Sequence, residues 1–205
     1  MNEEFENQSP TERKIFDAAR NVFFRKGLEG ARMQEIADKA RINKSMLHYY
    51  YKSKDKLFQK VYQLSIIKLI PRLMDLLNED LPLDQKIRKF VLRYIEIIQE
   101  NPEIPLFIVH ELNKNPNRLK EFVAGQVGKK IQPFLEQLEQ ARKEGKTADL
   151  PPEQLFVNMV SLTVFPFIGR PIFQMLLEYD DNDYEQFIEE RRLFLPEHVV
   201  RTILQ

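Results

Sequence analysis

The chain contains no cysteine and no tryptophan, and only 6 glycines and 3 histidines among 205 residues. Without cysteine there is no disulfide, thiol nucleophile, zinc finger or iron–sulfur cluster. That composition suits a reducing compartment, so a cytoplasmic location is expected. Scarce glycine argues against hairpin-rich folds, whose tight turns draw on it. The first twelve residues hold Glu3, Glu4, Glu6 and Glu12, the reverse of a basic leader ahead of an apolar run. The longest apolar stretches, such as Leu162 to Gly169, are too short to cross a bilayer. No association with a membrane is expected. No segment alternates polar and apolar residues at period two between turn signals, so no sheet is expected. Neither a fixed-period repeat nor a low-complexity tract is present.

What remains is a chain rich in Leu, Ile, Glu, Gln and Lys, 43% hydrophobic and 30% charged, long enough for a sizeable core. The expected class is all-α. The charges cancel over the whole chain, 31 against 31, but not along it. Residues 13–60 carry 13 Lys+Arg against 5 Asp+Glu, whereas Val61 onward carries 18 against 22. A basic first quarter on a mildly acidic body is the footprint of a small polyanion-binding head.

Capping signals divide the head. Ser9-Pro10-Thr11-Glu12 reads as a capping box with proline at the first helical position. Ile15, Ala18, Ala19, Val22 and Phe23 then recur at helical spacing, and Gly27 offers a left-handed stop. A short helix follows from Met33 to Ala40, burying Ile36 and Ala37. The link Arg41-Ile42-Asn43 leads to another from Lys44 to Tyr51, with Asn43 as its cap. Two short helices on a three-residue link inside a basic unit make a helix-turn-helix. Leu47 and Tyr51 share one face of its second helix, expected to be buried. Lys44, Ser45, His48 and Tyr49 then point outward, where they can reach base edges and phosphates. Ser53 caps a fourth helix running to about Leu77 with a kink at Pro71, and Lys54 at its start is placed to hold a phosphate.

The body reads as further helices. One opens at Asp84 and packs Ile87, Phe90, Val91, Tyr94, Ile95 and Ile98 on one face. Pro102 and Pro105 bound a short piece with Phe107, Val109 and His110. Asn115-Pro116 starts a helix to about Gly145, bent at Pro133. Pro151-Pro152 starts another, interrupted by Phe165-Pro166-Phe167 and restarted at Pro171; the last spans Tyr184 to Leu204 across Pro196.

The run Gly30-Ala31-Arg32-Met33-Gln34-Glu35-Ile36-Ala37, then Ala40 to Ser45, then Leu47-His48-Tyr49-Tyr50-Tyr51-Lys52-Ser53-Lys54, resembles the DNA-binding domain of TetR-type repressors. The resemblance covers about Glu12 to Val61; beyond it only the run of helices is similar. It implies a homodimeric, all-helical repressor with a ligand cavity in its C-terminal domain. On this footing the DNA-binding domain spans 9–53 and the regulatory and dimerisation domain 54–205, joined by a shared helix. The resemblance places Gln34, Lys44, Ser45 and Met46 near bases and His48, Tyr49 and Lys54 near phosphates. Asn43 lies within the same segment. Three positions depart from the family. Arg32 stands where Ser or Thr usually caps the second helix, and it can reach a phosphate instead. Arg41 stands where glycine is usual, adding charge beside the groove but straining a left-handed backbone. Tyr51 replaces Phe and needs a partner for its hydroxyl if buried.

In the body, Phe107, Phe165, Phe167 and Phe173 lie beside proline breaks. With His110 as a polar anchor and Met159 they are either core or the lining of an apolar ligand pocket. Phe156, Val160 and Val164 form one stripe and Phe187, Leu195, Val199 and Ile203 another, either intramolecular core or a four-helix contact between two copies. No enzyme is expected: His110-Glu111 lacks the second histidine of the zinc-protease motif, because position 114 is lysine. No phosphate loop or serine elbow is present, and neither metal nor cofactor is called for. The chain reads as a DNA-binding transcriptional regulator of a palindromic operator, a homodimer released by a small, largely apolar ligand. The alternative is a DNA-binding dimer whose body docks a protein partner or only dimerises.

Overall fold

Ser9 begins the described fold by the capping box that its sequence promises. Its hydroxyl accepts from the Glu12 amide at 3.2 Å, and the Glu12 carboxylate accepts from the Ser9 amide at 2.9 Å. The computed structural model describes residues 9–114, 117 and 128–204; for 63, 65–72, 110–112, 114, 128 and 129 it describes the backbone alone. The described residues form ten helices. Those of the head are α1 (Pro10–Gly30), α2 (Met33–Ala40) and α3 (Lys44–Tyr50), followed by α4 (Lys54–Leu77). The body adds α5 (Leu83–Glu100), α6 (Ile104–Lys114), α7 (Gly128–Lys143), α8 (Pro152–Ile168), α9 (Arg170–Leu177) and α10 (Asp181–Ile203). No strand occurs among the described residues, only an isolated bridge between Thr147 and Leu204. The fold class is all-α, as the composition and periodicity implied. Backbone contacts divide the chain into two units between Lys68 and Leu69.

The head packs around α1. Ile15, Ala18, Ala19, Val22 and Phe23 are all buried, and Phe23 meets Phe58 of α4 edge to face at 5.0 Å. Gly27 breaks the helix as expected, in a different conformation: φ 65°, ψ −177°, extended and open essentially to glycine alone. One more turn follows before the chain enters α2.

The body packs around α5. Ile87, Phe90, Val91, Ile95 and Ile98 are buried, while Tyr94 is half-buried and its hydroxyl is pushed up to about 12 by desolvation. Its largest partner is α10, with α8 beside it and α7 on α8. The expected interruption at Phe165-Pro166-Phe167 does not occur. Helix α8 runs through Pro166 to Ile168 and breaks at Gly169, where α9 departs at 70°. Pro166 leaves the Leu162 carbonyl without its helical donor, and the Arg191 guanidinium of α10 donates to that oxygen at 2.6 Å. The Tyr184 hydroxyl donates to the Pro166 carbonyl at 3.0 Å. Helix α4 runs on past Pro71 to Leu77, and the helix start expected at Asn115-Pro116 lies outside the residues described. Pro133 and Pro196 both sit inside helices, in α7 and α10. Among the described residues no single helix is long and apolar enough to cross a membrane.

Candidate nucleic-acid interface

The turn between α2 and α3 is a Schellman motif. The Ile42 amide donates to the Ala37 carbonyl at 3.0 Å and the Arg41 amide to the Asp38 carbonyl at 3.1 Å. Arg41 takes the left-handed position of that motif, φ 56° and ψ 44°. Asn43 then caps α3, its side-chain oxygen accepting from the Met46 amide at 2.6 Å.

Burial rotates α3 unambiguously. Leu47 has no exposed surface, whereas Lys44, Ser45, Met46, His48 and Tyr49 are exposed, Tyr49 by 81%. Tyr50, not singled out in the sequence, shares this exposed end; its ring meets that of Tyr49 edge to face at 5.5 Å. Exposed Lys52 adds a cation just beyond. Tyr50 lies three residues from Leu47, on the same side by helical rotation, so nothing in the spacing marked it as exposed. Tyr51 differs from expectation: it lies one residue past α3 in extended conformation and is half-buried, and burial pushes its phenol above the usual range. Leu47 alone therefore anchors α3.

The basic residues of the head fall into two groups. One is occupied. Lys26 holds Glu35 at 2.8 Å, and that bond, with the charges of Lys26 and Arg25, keeps the carboxyl below its ordinary value. Lys39 donates to Asn21 at 2.5 Å. The Lys54 ammonium turns back to the carbonyls of Ala31 at 3.2 Å and Glu29 at 3.4 Å. Lys54 thus ties the start of α4 to the end of α1. The other group is unengaged and includes the cations around the helix-turn-helix: among the described residues Arg32, Arg41, Lys44 and Lys52 are exposed and form no side-chain hydrogen bond or ion pair. Arg32 is the N-cap of α2 and provides no side-chain cap. Gln34, exposed, donates to Asp38 at 2.8 Å. An exposed helix bearing amphipathic rings, a hydroxyl and a cation, flanked by unpaired cations, is equipped to enter a groove lined by phosphates.

The head carries the pattern of the family described as bacterial regulatory proteins, tetR family, over residues 15–61. Residues 15–61 are a DNA-binding head of the TetR type. Over 59 residues it is 41% identical to the HTH-type transcriptional repressor SCO4008 of Streptomyces coelicolor, a match that spans 29% of this chain and 31% of that protein. With the HTH-type transcriptional regulator RutR of Escherichia coli O157:H7 it shares 26% identity over 72% of this chain and 69% of the relative. A solved variant of HlyIIR, a hemolysin II transcriptional regulator, has the same fold with a TM-score of 0.67; it is 22% identical, covering 95% of this chain and 97% of its own.

The body residues expected around a ligand are not gathered into one site. Met159 has no accessible surface, so it cannot line a space large enough for a water; it belongs to the core with Phe90 and Leu155. Phe107 is buried, Phe165 is more than half exposed, and the His110 side chain lies outside the described residues. Phe165 and Phe173 meet edge to face at 5.8 Å across the α8–α9 bend. Phe167 faces a cavity of about 340 Å³ with Gln99, Arg170, Tyr184 and Ile188. A second cavity of about 520 Å³ lies among Leu83, Asp84, Gln137, Gln140 and Leu204.

The two expected dimer stripes are also placed differently from one another. Leu195, Val199 and Ile203 are buried in the protomer's own core, and Phe156, Val160 and Phe187 lean on it half-buried, as does Val164 in exposure. The large apolar side chains left outward on α8 and α10 are Val157, Phe165, Leu193 and Phe194. Apolar spacing identifies a stripe; it does not say whether the same chain or another covers it.

Proposed function

We propose that the regulator represses transcription by binding a palindromic operator as a homodimer, and that a small, largely apolar ligand releases it. The exposure of Lys44, Ser45, Met46, His48 and Tyr49 around a single buried Leu47 carries this reading. Gln34, Lys44, Ser45 and Met46 would read bases; Arg32, Arg41, His48 and Tyr49 would hold phosphates, with Asn43 fixing the start of α3. A dimer presenting two such helices reads half-sites about 34–36 Å apart. Helix α4 supplies residues to head and body alike, from Lys54 to Leu77, and is the covalent route by which a ligand in the body changes that separation. A ligand that prefers the non-fitting state tenfold shifts the balance by ~1.4 kcal/mol per site. Such a regulator works in the cytoplasm, beside the chromosome.

Titration of one operator with the parent, Lys44→Ala and Tyr49→Phe tests the reading. Both variants are expected to bind more weakly while melting like the parent. If Lys44 meets a phosphate, its loss lowers the salt slope by about one unit. Unchanged affinity in both would remove α3 from the interface. The alternative, a body that docks a protein or only dimerises, has its own observation: buried Met159 and exposed Phe165 do not share a cavity. Operator affinity that no member of a panel of apolar small molecules changes would favour it.

A further inference from the structure

Helix α9 is amphipathic in the wrong direction for water. Its polar residues face the body: the Arg170 guanidinium pairs with Asp181 at 2.7 Å and lies 4.6 Å over the Tyr184 ring, and Gln174 donates to Asp181 at 3.0 Å. Its apolar residues Ile172, Met175, Leu176 and Leu177 are instead 47–71% exposed, and none of its eight residues is buried. A helix bathed by solvent alone turns its polar stripe outward. The orientation is held from both ends. A Cβ at Gly169 would come within 2.9 Å of the Phe173 ring, so the bend closes tightly there. Asp181, at the start of α10, anchors the far side through Arg170 and Gln174.

We infer that α9 is an arm of the contact between two copies of this chain. The inference rests on the homodimer reading above and extends it to an element outside the two stripes read from the sequence. Surface area argues for a second copy. Val157, Phe165, Leu193 and Phe194, at 48–75% exposed, offer roughly 450 Å² if a large apolar residue presents on the order of 200 Å². An obligate homodimer buries at least about 1,000 Å² per protomer, of which about 65% is apolar, and those four residues fall short of it. The four on α9 double the area to roughly 900 Å². The surface is also continuous. Phe165 of α8 touches Phe173 of α9. Arg191 ties Phe194 to α8, its guanidinium 5.6 Å over that ring and bonded to the Leu162 carbonyl. A two-fold contact uses one such patch on each side.

The test is sedimentation of the full chain over a range of concentrations, for the parent, Met175→Asp with Leu176→Asp, Met175→Leu, and Leu193→Asp. Both α9 side chains project from the protomer, so the double variant is expected to keep its helix content and melting temperature in the monomer. Its dimer dissociation constant is expected to rise at least about 30-fold, and that of Met175→Leu to stay within about threefold of the parent. A double variant that dimerises like the parent, while Leu193→Asp does not, would overturn the role of α9 and leave the homodimer standing. A parent that stays monomeric at tens of micromolar would overturn both. The α8–α9 pair is apolar enough together to pass a hydropathy test for a bent membrane segment, so flotation on anionic phospholipid vesicles is measured alongside. Flotation that the double variant loses, without a change in dimerisation, would assign the face to lipid and overturn the inference.

Discussion

Arg41 carries a conformation that costs a side chain energy. At φ 56° and ψ 44° its Cβ crowds the following carbonyl, on the order of 1 kcal/mol for a residue other than glycine. The Schellman bonds to Ala37 and Asp38 require that conformation whatever residue stands there. Arg41→Gly is therefore expected to raise the melting temperature of the head by a few degrees and, if the guanidinium meets a phosphate, to weaken operator binding. A melting temperature that falls would show the strain argument wrong. This site was legible before the fold, because the position is glycine in the family that the chain resembles. Lys54 was not. Its place at the start of α4 suggested a phosphate, yet its ammonium reaches carbonyls 23 and 25 residues earlier in the chain. Nothing local in Ser53-Lys54-Asp55 marks that bond.

At the scale of elements, the passage of α8 through Pro166 depends on a side chain from α10. A proline inside a helix removes one donor and strands the carbonyl four residues before it. Arg191 supplies the missing donor to Leu162, although its own Nε stays buried without a partner, and burial lowers the guanidinium below its ordinary value. Arg191→Leu is expected to cost about 2 kcal/mol of unfolding free energy, the penalty for a buried, unsatisfied carbonyl. In a Pro166→Ala background the alanine amide can serve Leu162, so the same change should cost less than half as much. Equal costs in the two backgrounds, measured by denaturant titration, would separate the proline from the arginine. Proline in an apolar run predicts a break. That the break falls at Gly169 instead follows from a partner 29 residues away, which no window of sequence contains.

At the scale of the body, one guanidinium joins two helices. Arg88 of α5 bonds Asp84 on its own helix and Glu197 on α10. Those bonds hold both carboxyls below their ordinary values. Groups with lowered folded pKa values stabilise the fold above their unfolded values, near 4, and that stability is lost as pH falls through the folded ones. The melting temperature of the parent should exceed that of Arg88→Met above about pH 5, and the gap should close as pH falls below about 4. The pair is solvent-exposed, so added salt should narrow the gap. A gap that stays constant from pH 7 to pH 3 would mean that Arg88 acts by packing alone.

The sequence by itself determined the elements and the chemistry of the head. Caps at Ser9, Asn43 and Ser53 and the spacing of Ile15 to Phe23 are local, and each appears in the structure where its residues put it. The outward set around Leu47 followed from rotation within one short helix. Tertiary structure decided which apolar stripes are core and which face out. Met159 and Leu195 vanish into the packing of α5, α8 and α10, whereas Leu193 and Phe194, two residues and one residue from Leu195, remain exposed. Helical periodicity sets the angle between such residues, about 100° per position, but the direction of the core comes from the neighbouring helices. Those neighbours are chosen by contacts between distant parts of the chain, among them Arg88 with Glu197 and Arg191 with Leu162, and they exist only once the helices have met.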